Sequence, residues 1–418
     1  MSDFLPEGII INILKRLPVK LLICCMCVSR SWYTLITSPD FISTHLNFAL
    51  ASNEGPPLLL LRRCCIRKIE RYELYCDNVS FDRHFTLEFP FRSINPFFTI
   101  IGSCNGLLCL SDDRLFYMNT IIIWNPCIKK SVLLPEPNLV YNSYGSFMQS
   151  LGFGFDPIAK DYKVVRITYT DFDRRLPQIE LYRLSMGVWE DITHLALKYI
   201  IHNRSRQAYI NGATHWIARY VDGNDLILVF DMCAEVFREM ILPGNLAKDD
   251  SPRNKELMIY RESLALVSCD VAGVEHDFCV WVMKEYGVVE SWTKQFNINF
   301  HDFGGGFIKP LWVRKDGELL MVPKDGCLVS CDSNGAQVNN LGLSGTSSEE
   351  YLRSVYVDSY MKSVVLLEKG PDFNDAVTFS KLPSLQSDDC GSDGSCGSHY
   401  RHSHEVNQSV RQDNRFHA

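Results

Sequence analysis

The 418-residue chain has no run of Lys and Arg long enough to grip a phosphate backbone, and its formal net charge of -7 gives no overall attraction to one. Nucleic acid is not an expected ligand. Long apolar runs are missing as well. The longest, Leu21 to Val28, is bracketed by Lys20 and Arg30 and falls far short of the roughly 20 residues that span a bilayer. The opening residues, Met1-Ser2-Asp3-Phe4-Leu5-Pro6-Glu7-Gly8, do not follow the basic, apolar and small-residue order of a secretory signal. The sixteen cysteines are therefore expected as reduced thiols of a cytoplasmic and/or nuclear protein, not as a disulfide framework.

Recognisable catalytic chemistry is scarce. Cys24, Cys25 and Cys27 are the densest cysteine group, but they sit in an apolar segment where packing is the expected role. Neither Cys327 with Cys331, nor Cys390 and Cys396 with His399, His402 and His404, shows the paired Cys-x-x-Cys spacing of a closed zinc site. No metal is expected at the first pair, and the role of the second group is left open. His215, beside Trp216, has no Ser or Cys nucleophile motif near it. Gly304-Gly305-Gly306 is not followed by the Lys-Ser or Lys-Thr of a phosphate loop. The sequence assigns no catalytic residue and no cofactor.

What is present begins with a short helical region. Pro6 suits a first helical turn, and Glu7 places a carboxylate at the positive end of the helix dipole. Ile10, Ile13, Leu14 and Leu17 then make one apolar stripe, while Ile9 and Ile11 leave further sides apolar. Pro18 is expected to end this helix, Val19 to Val28 to form a second, and Ser29 to cap a third that carries Trp32, Leu35 and Ile36 and stops at Ser38-Pro39. Three short helices bury too little surface to offset their chain entropy, so the surplus apolar faces call for a partner.

Leu5-Pro6-Glu7, Leu14-Lys15-Arg16-Leu17-Pro18-Val19-Lys20, Val28-Ser29-Arg30-Ser31-Trp32, Leu35-Ile36 and Ser38-Pro39-Asp40-Phe41 closely resemble the plant F-box pattern. The resemblance implies an F-box over residues 1–47 that docks onto a Skp-type adaptor, itself bound to cullin and RING subunits. It places the contact at Leu5, Pro6, Ile10, Leu14, Leu17, Pro18, Val28 and Trp32. From Leu21 to Met26 the chain departs from the Ser-Leu-Leu-basic run usual in that family.

From residue 50 the pattern changes to short strands rich in Val, Ile, Leu, Tyr and Trp, broken by Gly, Asn, Asp and Pro turns. Six recurring hairpins have turns starting at residues 77, 125, 184, 231, 284 and 332, a spacing of 47 to 59 residues. That is close to the roughly 40–50 residues of a four-stranded propeller blade. Further strands are expected at Leu107 to Leu110, Tyr162 to Ile167, Ala208 to Ile210, His215 to Ile217, Leu264 to Val267 and Leu319 to Val322. Closure is expected where Tyr351 to Val357 and Ser363 to Leu367 pair with Leu58 to Leu61.

The fold class expected is thus an α+β multidomain chain. A small helical F-box precedes an all-β, β-propeller-like domain of six or seven blades over residues 48–375, with a two-sheet sandwich as the competing arrangement and a disordered polar tail at 376–418. Ser103-Cys104-Asn105-Gly106-Leu107-Leu108-Cys109, Trp124-Asn125-Pro126, Leu134-Pro135, Gly152-Phe153-Gly154-Phe155-Asp156-Pro157, Asp161-Tyr162-Lys163-Val164-Val165 and Trp189 resemble the plant F-box-associated domain. The likeness extends to S-locus F-box-like and F-box-kelch-like proteins, among which self-incompatibility, defence and hormone-related roles are not separable. It implies a non-catalytic substrate-recognition subunit of a Skp-cullin-F-box ubiquitin ligase, acting on an unknown protein target. Substrate contacts are expected in segments 139–150, 170–177, 219–225 and 299–307. Two other readings stay open: an F-box protein acting outside the ligase in assembly or sequestration, and a propeller enzyme with carboxylates or a metal converging at its central channel.

Overall fold

A computed structural model describes residues 5–365 apart from 53–56, 66–68, 90–97, 113–119, 140–147, 171–175, 202–204, 221–222, 248–254, 273–274, 301–307, 333–336 and 345–354. The expected tail, with Cys390, Cys396, His399, His402 and His404, lies outside the described residues, as does Gly304-Gly305-Gly306.

Four helices open the chain: α1 (Glu7–Leu14), α2 (Val19–Met26), α3 (Arg30–Ile36) and α4 (Pro39–Ala51). The prolines act as starters. Pro6 and Pro18 are the N-caps of α1 and α2, since a residue without an N–H loses nothing at a helix start. Ser29 caps α3 by accepting from the Trp32 N–H at 3.2 Å, as the sequence suggests. Ser38-Pro39 corrects an expectation. It ends α3 but also begins a further helix, with Ser38 Oγ accepting from Phe41 N at 3.2 Å and Pro39 in the first turn. His45 on α4 lies 3.3 Å through Nε2 from the Leu17 carbonyl and so ties α4 to the α1–α2 turn.

The rest is six antiparallel sheets, which settles the blade count at six. The first contains β1 (Leu58–Cys65), β2 (Ile69–Cys76) and β3 (Arg83–Leu87). The second is β4 (Phe98–Cys104), β5 (Leu107–Asp112), β6 (Ile121–Asn125) and β7 (Lys130–Leu133). The third is β8 (Met148–Asp156), β9 (Asp161–Tyr169), β10 (Gln178–Arg183) and β11 (Val188–Asp191). The fourth splits its first strand into β12 (Tyr199–Ile201) and β13 (Ala208–Ile210), both paired with β14 (Ala213–Tyr220), followed by β15 (Asp225–Asp231) and β16 (Val236–Ile241). A one-turn helix, α5 (Gly244–Ala247), leads towards the fifth sheet of β17 (Lys255–Tyr260), β18 (Ser263–Ala272), β19 (Glu275–Met283) and β20 (Trp292–Phe300). The sixth is β21 (Ile308–Val313), β22 (Leu319–Pro323), β23 (Cys327–Cys331) and β24 (Val338–Ser344).

The last strand, β25 (Tyr356–Tyr360), returns to the first sheet and pairs with β1 from Leu58↔Tyr360 to Arg62↔Tyr356, so the ring is sewn shut. Residues 361–365 after it are not a strand, which corrects the expected pairing of Ser363 to Leu367 within the described residues. Each of the six expected turns falls between the third and fourth strands of a sheet, and each second-strand segment lies where it was expected.

Local chemistry explains the regularity. Asn125, Asp156 and Asp231 each close a four-residue turn by accepting a main-chain N–H two residues on, at 2.9 to 3.0 Å. The last turn residues, Lys129, Lys160 and Glu235, take left-handed φ of 53° to 55°. Near the axis, Gly152 and Gly154 leave room for neighbours: a Cβ would stand 2.5 Å from Trp216 Cζ2 and 2.4 Å from Tyr209 Cε2. Tyr209 uses that room to donate to Phe155 O at 2.8 Å and accept from Phe155 N at 3.1 Å. Gln207 does the same with Phe153, at 2.9 and 2.6 Å. Arg206 reaches from the fourth sheet to the Leu311 carbonyl at 3.4 Å and to that of Val355, with its guanidinium 4.6 Å from the Tyr356 ring centre.

Buried ion pairs tie blades together. Lys163 of the third sheet bridges Asp156 at 2.6 Å and Glu235 of the fourth at 2.7 Å, Lys255 of the fifth reaches Asp225 of the fourth at 2.7 Å, and Arg314, in the turn between β21 and β22 of the sixth, reaches Asp77 of the first at 2.9 Å. Having given up hydration, each of these charges relies on its partner, and removing one member of a pair leaves the other buried and uncompensated.

His215 is fully buried in β14, with Nδ1 3.0 Å from the Ala208 carbonyl and Nε2 2.8 Å from Tyr286 Oη. Donation to the carbonyl leaves Nε2 to accept from the tyrosine, a neutral ring held by both neighbours. Burial pulls its pKa down from 6.5 to about 4. A depressed histidine pKa means the unfolded chain binds the extra proton, so this contribution is present above pH 6.5 and is lost as pH falls towards 4. His215→Gln should flatten that loss. Chemical denaturation of both proteins across the window should show their stability difference shrinking by up to roughly 3 kcal/mol at the acid end.

Candidate partner interface

The helical region has a small core of Leu14, Val19, Leu22, Ile36 and Phe41. Outside it the surface is strongly apolar. Leu5 (49% exposed), Ile9, Ile13, Leu21, Val28 (67%) and Tyr33 all face solvent. Of the eight residues the sequence singles out, Leu5, Pro6, Pro18 and Val28 are exposed, and Ile10, Leu17 and Trp32 are half-buried against the core. Leu14, at 1% exposure, is a core residue with no free surface. Ile9, Ile13, Leu21 and Tyr33 belong to the exposed set but not to the eight. For Ile9 and Ile13 the signal was in the spacing: with Leu5 they recur every four residues, so Ile13, expected in the stripe of Ile10, Leu14 and Leu17, faces outward instead.

Cys24 and Cys27 are exposed beside Leu21 and Val28. Burial and the neighbouring Cys24 push the Cys25 thiol up, the opposite of what a nucleophile needs. Cys104 and Cys109 are pushed up by burial too, Cys104 to about 12. Among the described residues no group of three or more His, Cys, Asp or Glu side chains is placed to hold a metal.

The helical core is completed from the far end of the described chain. Val364 is 2% exposed and packs with Leu14, Leu22 and Phe41, whereas Val365 joins the core between the second and third sheets. The segment carrying them is gripped by two of the motifs. Asn125 of Trp124-Asn125-Pro126 donates through Nδ2 to the carbonyls of Val365 at 2.8 Å and Ser363 at 3.4 Å. Gly106 makes room for it, since a Cβ there would stand 2.6 Å from Ser363 Oγ and 2.7 Å from the Met361 carbonyl. Cys127 and Ile128, in the turn after Asn125, add apolar contact to the helices. A cleft of about 250 Å³ remains between α4 and the propeller, walled by Ile42, Leu46, Phe155, Tyr162, Leu184 and Val365.

These contacts lie on one face. In an antiparallel blade the turns between first and second and between third and fourth strands share a face, and all other connections lie on the opposite one. Lys160, Leu184, Cys127 and the end of β25 belong to the first set, so the helices sit on the face of tight turns. The strand ends flanking 139–150, 170–177, 219–225 and 299–307 all belong to the second set. Most of those four segments lie outside the described residues.

A helical docking module on a closed six-bladed propeller is the class this architecture defines. Comparison with known proteins gives the family. The F-box domain profile matches residues 3–44, and that of the F-box associated beta propeller domain matches 73–387. The chain belongs to the F-box proteins with an F-box associated beta propeller domain. Among its relatives is an F-box protein of Arabidopsis thaliana, 30% identical over 78% of this chain and 81% of that one. An F-box/kelch-repeat protein of the same plant is 29% identical over 79% and 88%, and F-box protein CPR1 is 27% identical over 76% and 79%.

Val364→Asp buries an unpaired carboxylate where the helices close, a change costing about 3 kcal/mol or more. Hydrogen exchange should accelerate across α1 to α3 in this variant while protection in β8 and β9 stays near wild type.

Proposed function

We propose that the protein is a substrate-recognition subunit of a Skp-cullin-F-box ubiquitin ligase. The F-box binds a Skp-type adaptor and, through it, cullin and RING subunits. The propeller holds a protein target for ubiquitination and proteasomal degradation. The observation that carries this reading is the outward apolar face of Leu5, Ile9, Ile13, Leu21 and Val28, on a module whose own core is already filled. Its family membership supports the same reading, since F-box domains generally bind Skp-type adaptors.

The chain itself makes no bond in this scheme. It raises the local concentration of acceptor lysines near a charged conjugating enzyme, and a fixed F-box-to-propeller geometry makes that concentration high. The target is proposed to bind on the face away from the F-box, where the longer connections between strands gather. No helix of the described residues is long and apolar enough to cross a membrane.

Leu5→Asp with Val28→Asp tests the docking face without disturbing the core, since both side chains are exposed. The double variant should melt like the wild type and bind a Skp-type adaptor at least about tenfold more weakly, the loss of roughly 1.4 kcal/mol or more that two desolvated apolar contacts supply. Co-purification with the adaptor at wild-type yield would place the interface elsewhere.

A further inference from the structure

On the face away from the F-box, the fourth sheet carries a cleft of about 530 Å³. Tyr199 starts the first strand, Tyr220 ends the second, Asp225 starts the third, Glu239 and Ile241 end the fourth, and Ala247 of α5 adds to the lining. β12, β14, β15 and β16 each contribute at the end that points away from the helices, so this is a built feature of the blade.

Two properties of the lining select a ligand. The first is aromatic: the Tyr199 and Tyr220 rings lie 5.3 Å apart, inclined at 49°, with Tyr220 40% exposed. The second is charge. Among the described residues, the ionisable carboxyls in the lining are Asp225 and Glu239, and no Lys or Arg lines the cleft. Asp225 is consumed internally, with Oδ1 accepting from Arg219 Nε at 2.8 Å and Oδ2 from Lys255 Nζ at 2.7 Å. Both cations are thereby turned onto Asp225. Glu239 is exposed and makes no ion pair among the described residues, so it is the carboxylate a ligand meets. Ile241, 63% exposed, offers apolar surface beside it.

We propose that this cleft is the target-recognition pocket, and that it takes a Lys or Arg side chain presented by an extended peptide. The aliphatic stem lies along Ile241, the cation faces the tyrosine rings, and the charged head pairs with Glu239. A carboxylate-bearing or phosphorylated segment would meet Glu239 as a like charge and is disfavoured. This rests on the substrate-receptor reading and names the class of target it selects.

The test uses the full chain and fluorescein-labelled nine-residue peptide pools, each with one fixed central residue (Arg, Lys, Leu, Gln or Glu) in an otherwise randomised Gly/Ser/Ala background, read by fluorescence polarisation. The Arg and Lys pools should bind more tightly than the Leu, Gln and Glu pools. Glu239→Gln and Tyr220→Ala should each weaken them at least about fivefold, the scale of one exposed ion pair or cation–π contact. Equal binding by all pools, tighter binding by the Leu or Glu pool, or Arg binding unchanged in both variants would overturn the assignment. Adaptor binding is measured on the same samples. Both variants should keep it, because the F-box is on the other face, so failure of the pocket and failure of adaptor docking are read separately.

Discussion

The pairing of Leu58–Arg62 with Tyr356–Tyr360 is the constraint on which the rest depends. It joins strands almost three hundred residues apart in sequence, and the loop entropy of bringing them together grows only slowly with that separation. Once made, it leaves no open sheet between last and first blades. It also delivers residues 361–365 to the face where the F-box sits. Val364 then serves the helical core and Val365 the propeller core, so closure and F-box placement are one event.

The motifs shared with the F-box-associated family make sense as parts of that event. Asn105-Gly106 forms a tight turn whose missing Cβ admits Met361 and Ser363, and Asn125 holds the carbonyls on either side of Val364. Gly152 and Gly154 admit Trp216 and Tyr209 from the next blade. In this geometry these residues pack and hydrogen-bond within the fold. They are the places where one blade approaches another too closely for an ordinary side chain. The buried pairs of Lys163, Lys255 and Arg314 do the same work with charge.

Much of the fold was legible because its signals are local. Turn residues at 77, 125, 184, 231, 284 and 332 mark six outer hairpins, and alternating apolar runs mark the second strands. Ser38-Pro39 shows where local reading fails: the same pair that stops one helix is also a good start for the next, and the choice depends on whether Phe41, His45 and Leu46 find a core to enter. Leu14 shows the same limit at the interface. In the sequence it is one apolar residue of a motif, and only packing against Val364 and Leu22 sends it inward while Leu5 and Val28 face out.

By itself the sequence determined the family, the helical start, the strand-and-turn repeat and the surplus of apolar residues in the first helices, because each is written in neighbouring residues. The tertiary structure alone decided the count of six, the use of residues 361–365 as the coupling between F-box and propeller, and the cleft of Tyr199, Tyr220 and Glu239. Those depend on side chains from distant strands meeting at distances of a few ångströms. Periodicity says which way a residue points along its own element, and it carries no information about what comes to meet it.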